Sequence, residues 1–113
     1  MSKELPKLVR DNIPDIIRAG GQECEIEILS SKDYIKALDA KLDEEVAEYH
    51  EDHSLEEIVD ILEVVLSIVH ARGYDKAKLI DTFASKEQEK GGFNKRILLK
   101  KIYNKEKKDE KIY

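Results

Sequence analysis

Two pairs of acidic residues could do chemistry in this chain: Glu45-Val-Ala-Glu48 and Glu57-Ile-Val-Asp60. A spacing of three puts both members of a pair on one side of a helix. Spacing alone says little. Among 25 acids in 113 residues, about five pairs at i,i+3 arise by chance, so the information lies in which way they face. With Leu42 set at zero and about 100° per residue, Ile35, Leu38, Val46 and Tyr49 fall within about 40° of it. Glu45 then flanks this apolar stripe, Lys41 and Glu48 lie just beyond it, and Glu44 points almost the opposite way. In the next apolar run, Asp60 and Glu63 are the only charges between Ile58 and Val69. Burying an unpaired carboxylate costs several kcal/mol, so Asp60 has no cheap place to go. Two carboxylates about 5 Å apart repel by roughly 3 kcal/mol at an effective dielectric near 20. Four together call for a counter-charge, and a hard divalent cation with oxygen ligands, Mg²⁺ or Mn²⁺, is the natural one.

Each residue also has a simpler reading. Glu57 fits as the capping-box partner of Ser54, three residues earlier. Glu48 fits as a solvated acid, and Glu45 as the i,i+4 partner of Lys41. His50 and His53 lack further His or Cys ligands nearby and read as a polar loop. His70 sits near a helix C-terminus, where a histidine is electrostatically at home. Cys24 reads as a packing residue. Gly91-Gly92 follows a helix rather than preceding one, so it is not a phosphate-binding loop.

The elements that must position these acids follow from periodicity. Residues 1–12 are irregular. Pro14 suits the first turn of a short helix over Asp15–Ala19, ended by Gly20-Gly21. Cys24, Ile26 and Ile28 alternate with Glu23, Glu25 and Glu27, which predicts a strand in need of a partner. Ser30 or Ser31 caps a helix to about His50. A four-residue polar loop follows, and Ser54 opens a second long helix to about Arg72, stopped by Gly73. Seven of that helix's nine apolar residues are β-branched, which favours strand. The cap and a length of about 18 residues outweigh propensities of tenths of a kcal/mol. Asp75 caps a third helix to about Lys90, with Ala77, Ile80, Phe83 and Ala84 inward. Phe93–Tyr103 is either a strand pairing with Glu23–Leu29 or a short helix. The expected fold is all-α: an antiparallel helix hairpin plus a third helix, forming a bundle completed by oligomerisation, with room for a minor two-stranded β element. The domain spans residues 1–103, and the charged residues 104–113 are expected to be disordered.

Composition narrows the function classes. At 41% apolar and 40% charged, the chain has no run resembling a membrane span of about 20 residues. One cysteine excludes an internal disulfide and a Cys-rich zinc site. No secretory leader is evident, so the expected location is cytoplasmic. Net charge is -5, divided unevenly. Residues 95–113 carry eight bases and three acids, and the preceding 94 carry twelve bases and twenty-two acids. An acidic body argues against nucleic acid as the main partner and suits an anion that arrives with cations.

At these residues the sequence resembles the MazG-like, all-α nucleoside triphosphate pyrophosphohydrolase superfamily, which includes the phosphoribosyl-ATP pyrophosphohydrolases. The resemblance rests on E-x-x-E at Glu45–Glu48 and E-x-x-D at Glu57–Asp60. Its small single-domain branch is matched by Lys7-Leu-Val-Arg-Asp-Asn-Ile-Pro14, by Lys41 to Glu48, by Asp60-Ile-Leu-Glu63, and by Lys90-Gly-Gly-Phe-Asn-Lys-Arg-Ile97. The match spans about residues 5–100. Only eight residues separate Glu48 from Glu57, fewer than in many relatives. The resemblance implies Mg²⁺ (or Mn²⁺) held by Glu45, Glu48, Glu57 and Asp60, with Glu45 orienting or deprotonating the attacking water. It also implies cleavage of a nucleoside triphosphate to the monophosphate and pyrophosphate, in a homodimer or homotetramer. Lys41, Lys86, Lys90 and Arg96 are the candidate phosphate-binding residues. Two alternatives stand beside this reading. One is the phosphoribosyl-ATP step of histidine biosynthesis, and the other is a non-catalytic helical dimer with a regulatory role.

Overall fold

The computed structural model describes residues 5–104. These described residues form four helices: α1 (Ile13–Ala19), α2 (Ser31–Glu51), α3 (Leu55–Ala71) and α4 (Lys76–Lys90). Among the described residues there is no strand, and no helix is long and apolar enough to cross a membrane.

Each helix starts and stops for a local reason. Pro14 falls in the first turn of α1, where a missing N–H matters least. The helix then closes on Gly21 at φ +92°, with Gly21 N donating to Arg18 O and Gln22 N to Ile17 O. This pairing satisfies the last carbonyls and requires a left-handed residue. α3 ends the same way on Gly73, φ +88°, with Tyr74 N donating to Val69 O. At the starts, Ser30 Oγ accepts from Asp33 N at 3.2 Å, and Ser54 Oγ accepts from Glu57 N at 3.3 Å. Asp75 Oδ1 accepts from Lys78 N at 2.7 Å. The β-branched run 58–69 is helical as expected. With both ends capped and α2 alongside, the weak strand propensity of that run has no effect.

Only residues 52–54 separate α2 from α3, and the two helices pack on each other. Leu38 of α2 and Val64 of α3 are the buried apolar residues of the described chain. Ile61, Ile68 and Val69 are half-buried, and the opposite side of α3 stays open. Leu55, Ile58, Val59, Leu62, Val65 and Leu66 are all exposed, a stripe at i, i+3, i+4 and i+7 spacing. The contacts divide the chain into two compact units, Met1–Ile80 and Asp81–Tyr113, which part within α4.

Three expectations are corrected. Residues 22–30 lack regular structure, and Ile28 is 87% exposed. Alternation defines a wet and a dry face, but a strand forms only when its N–H and C=O groups find a second strand. Phe93–Tyr103 is neither strand nor helix: it turns at residues 94–95, with Arg96 N donating to Phe93 O, and the remainder is irregular and exposed. Ala77, Ile80, Phe83 and Ala84, expected inward on α4, are all exposed. The expectation of disorder for the charged tail falls almost wholly on residues 105–113, outside the described range.

Candidate metal centre

α2 and α3 bring carboxylates together across their contact. One oxygen each from Glu45, Glu57 and Asp60 lies within 4.8 Å of the other two. Glu45 projects from α2 beside the apolar stripe and is 6% exposed, which makes it the buried charge of the described chain. Glu57 sits in the first turn of α3, and Asp60 lies one turn further along. Both are half-buried.

Glu57 is not tied up by the helix cap. Ser54 Oγ takes the Glu57 amide, but the Ser54 N–H donates to Asp52 O at 2.7 Å. The cap therefore leaves the Glu57 carboxylate to join the cluster, where its Oε2 is buried without a hydrogen-bond partner. Glu45 Oε1 is in the same condition. Buried carboxylate oxygens without donors are unfavourable unless a cation compensates them. Glu57 shows the strain most clearly. Burial, followed by the charges of Glu48, Glu45 and Asp60 and a hydrogen bond shared with Glu48, pushes its carboxyl above the usual carboxylate range. Glu48 is thus close to the cluster through Glu57, although it is not one of the three residues whose oxygens converge within 4.8 Å.

Bases meet these acids from two directions. On α2, Lys41 Nζ lies 3.2 Å from Glu45 Oε2 and 3.5 Å from Glu44 Oε2. From the irregular segment before α1, Arg10 Nη2 donates to Asp60 Oδ1 at 2.7 Å, and Lys7 Nζ lies 3.4 Å from Glu44 Oε2. The hydrogen bond with Asp60, then the charges of Asp60, Glu63 and Glu45, hold the Arg10 guanidinium above its ordinary value, against the opposing effect of burial. Lys7, Arg10 and Lys41 face Glu45, Asp60 and Glu63 across a cleft of about 250 Å³, whose apolar wall includes Val9, Ile13 and Val64.

Of the residues singled out in the sequence, Glu45, Glu57, Asp60 and Lys41 meet here, with Glu48 beside them. Lys86 and Lys90 lie one turn apart on α4, and Arg96 lies beyond it. All three are exposed, in the unit that begins at Asp81. Arg96 holds φ +57°, a left-handed conformation uncommon for a residue with a side chain. Two residues were missed: Arg10 and Lys7. The signal for Arg10 was Asp60 itself, since an aspartate in an apolar run needs a base, and none lies within a helical turn of it. Glu44, expected to point away, is instead covered by Lys7 of the N-terminal segment. His50 and His53 pack on the Tyr49 ring, with centroids 5.8 and 5.0 Å away, and Cys24 Sγ lies 4.0 Å from Pro14 O.

No protein-family model matches the chain, and no solved structure does. A stretch of 44 residues is 59% identical to an uncharacterised protein of Mycolicibacterium smegmatis. That stretch covers 39% of this chain and 45% of the relative, so the match spans less than half the length of either protein.

Proposed function

We propose that the protein is a Mg²⁺-dependent pyrophosphohydrolase of nucleoside triphosphates, releasing the monophosphate and pyrophosphate, of the MazG-like kind its sequence blocks resemble. One observation carries the reading. Three carboxylates from two helices converge within 4.8 Å, and two of their oxygens are buried with no donor. The oxygen-only donor set suits Mg²⁺ or Mn²⁺. Glu45, Glu57 and Asp60 would hold the ion, with Glu48 next to Glu57. When bound, it supplies Lewis-acid activation of the phosphate and a more acidic water.

The chain's own residues do the rest. Lys41 fixes Glu45 through Oε2, and the Glu45 carboxylate would orient the attacking water beside the ion. The second role of Lys41 is to meet a phosphate oxygen, as a positive point charge at the cleft wall. Lys86, Lys90 and Arg96 remain candidates for further phosphate contacts. The helix pair α2–α3 is read as an antiparallel hairpin. The three-residue connection supports this at one end, and the Arg72–Asp39 pair at 3.2 Å supports it at the other. Homodimer or homotetramer formation through the open stripe of α3 completes the bundle, in a cytoplasmic protein. The test is pyrophosphate release from a panel of canonical and modified nucleoside triphosphates, with and without Mg²⁺, by wild type and Glu45→Gln. Metal-dependent release that Glu45→Gln abolishes supports the proposal. No turnover on any substrate favours the non-catalytic helical dimer.

A further inference from the structure

The N-terminal segment brings two bases, Lys7 and Arg10, to the cleft beside the acid cluster. The more telling of them is Arg10. Its guanidinium donates to Asp60 at 2.7 Å, one of the three carboxylates whose oxygens converge. It is also half-exposed, with 53% of its side chain accessible, so it has freedom to move. The same cleft has Lys7 and Lys41 on its wall. Three cations beside three carboxylates suit a ligand that carries both signs, such as a divalent cation chelated by a phosphate chain. At about 250 Å³ the cleft is smaller than the roughly 300–1,000 Å³ of pockets that enclose a whole drug-sized ligand. It has room for the phosphates and the ion, with the nucleoside outside.

Resting on the metal-site reading above, we propose that Arg10 is an exchanging substrate-binding residue: it neutralises Asp60 in the metal-free protein and turns to the phosphate chain once a metal ion takes the Asp60 oxygen. A divalent ion held by the Asp60 carboxylate draws off its negative charge and repels the guanidinium, so the 2.7 Å hydrogen bond from Arg10 weakens when the ion binds. The displaced guanidinium stays at the cleft mouth, where a planar fork of N–H donors matches a phosphate's oxygens. Lys7 and Lys41 add point charges to the same anion site.

The proposal gives Arg10 opposite effects on two ligands. It competes with the metal ion alone and assists the metal–phosphate chelate. The measurement is calorimetric titration of the full chain with Mg²⁺ alone, and with inorganic tripolyphosphate in saturating Mg²⁺, for wild type, Arg10→Ala and Arg10→Lys. Circular dichroism confirms that each variant is folded. In Arg10→Ala, Mg²⁺ should bind tighter, by up to about fivefold, since an exposed ion pair is a weak competitor. Tripolyphosphate should bind about tenfold weaker or worse, for loss of a charge-assisted contact. The ratio of the two dissociation constants therefore rises about tenfold or more. Arg10→Lys should fall between, because it keeps the charge and loses the fork. An unchanged ratio, with both ligands weakened together or neither affected, would overturn the proposal and leave Arg10 as a structural ion pair. Failure of wild type to bind Mg²⁺ at all is a different result: it would overturn the metal-site reading itself.

Discussion

Asp60→Asn removes a charge from the cluster while keeping the shape of the side chain, and its effect can be worked from the geometry. Asp60 and Glu45 offer oxygens within 4.8 Å of each other. Their repulsion is about 1 kcal/mol if water screens it fully and about 3 kcal/mol at an effective dielectric near 20. Asp60 is 35% exposed, and Lys41 partly neutralises Glu45, so the lower part of that range applies. Against this stands the loss of the Arg10 pair. Arg10 is half-exposed, so that pair is worth about 0–1 kcal/mol, not the larger penalty of stranding a buried base. The metal-free variant should therefore melt at the wild-type temperature or somewhat above it. A net gain of 1 kcal/mol would correspond to about 4 °C for a domain of this size. Millimolar Mg²⁺ should raise the wild-type Tm, by up to about 2.7 kcal/mol of stabilisation at a hundred times the dissociation constant. The variant should lose most of that rise. Four melting curves suffice, each protein with and without Mg²⁺. A variant that melts lower without metal yet keeps the full Mg²⁺ shift would refute the reasoning.

The raised carboxyl of Glu57 sets a pH dependence. Because its folded pKa lies above the ordinary 4.5, the folded state holds that proton more tightly than the unfolded state, and ionising it weakens the fold. Stability of the metal-free protein should therefore rise as pH falls from neutral through the raised value. Denaturant titrations at stepped pH should show this acid-side gain in wild type and its loss in Glu57→Gln, while saturating Mg²⁺ should suppress it. On the outer stripe of α3, Leu62→Glu puts a charge in the middle of exposed apolar surface. Light scattering at micromolar concentration should give an oligomer for wild type and a smaller species for the variant. A wild type that is monomeric and folded at high dilution would remove the assembly proposal.

Sequence pattern and structure part company for identifiable reasons. Helix ends were readable because they are local. Ser30, Ser54 and Asp75 cap through atoms three residues away, and Gly21 and Gly73 close helices through a backbone conformation that few other residues adopt. The convergence of Glu45, Glu57 and Asp60 was readable too, since helical phase and a short connection leave few ways for two helices to meet. What pattern could not supply was any partner distant in sequence. The alternation at Cys24–Ile28 shows two faces but says nothing of a neighbouring strand, and the structure provides none among the described residues. Arg10 pairs with a residue fifty positions away, through a segment that carries no periodicity. Ile80 and Phe83 have a helical apolar spacing, but that spacing does not say what covers them.

The most direct measurement is product analysis in ¹⁸O-labelled water, with Mg²⁺ present, on the best substrate of a nucleotide panel. A carboxylate-held metal site that directs water to the α-phosphorus gives nucleoside monophosphate carrying one ¹⁸O, together with unlabelled pyrophosphate, and gives neither product when Mg²⁺ is withheld. Nucleoside diphosphate with labelled inorganic phosphate, or the same products at an undiminished rate without any divalent cation, would show that the cluster of Glu45, Glu57 and Asp60 does not perform the reaction assigned to it.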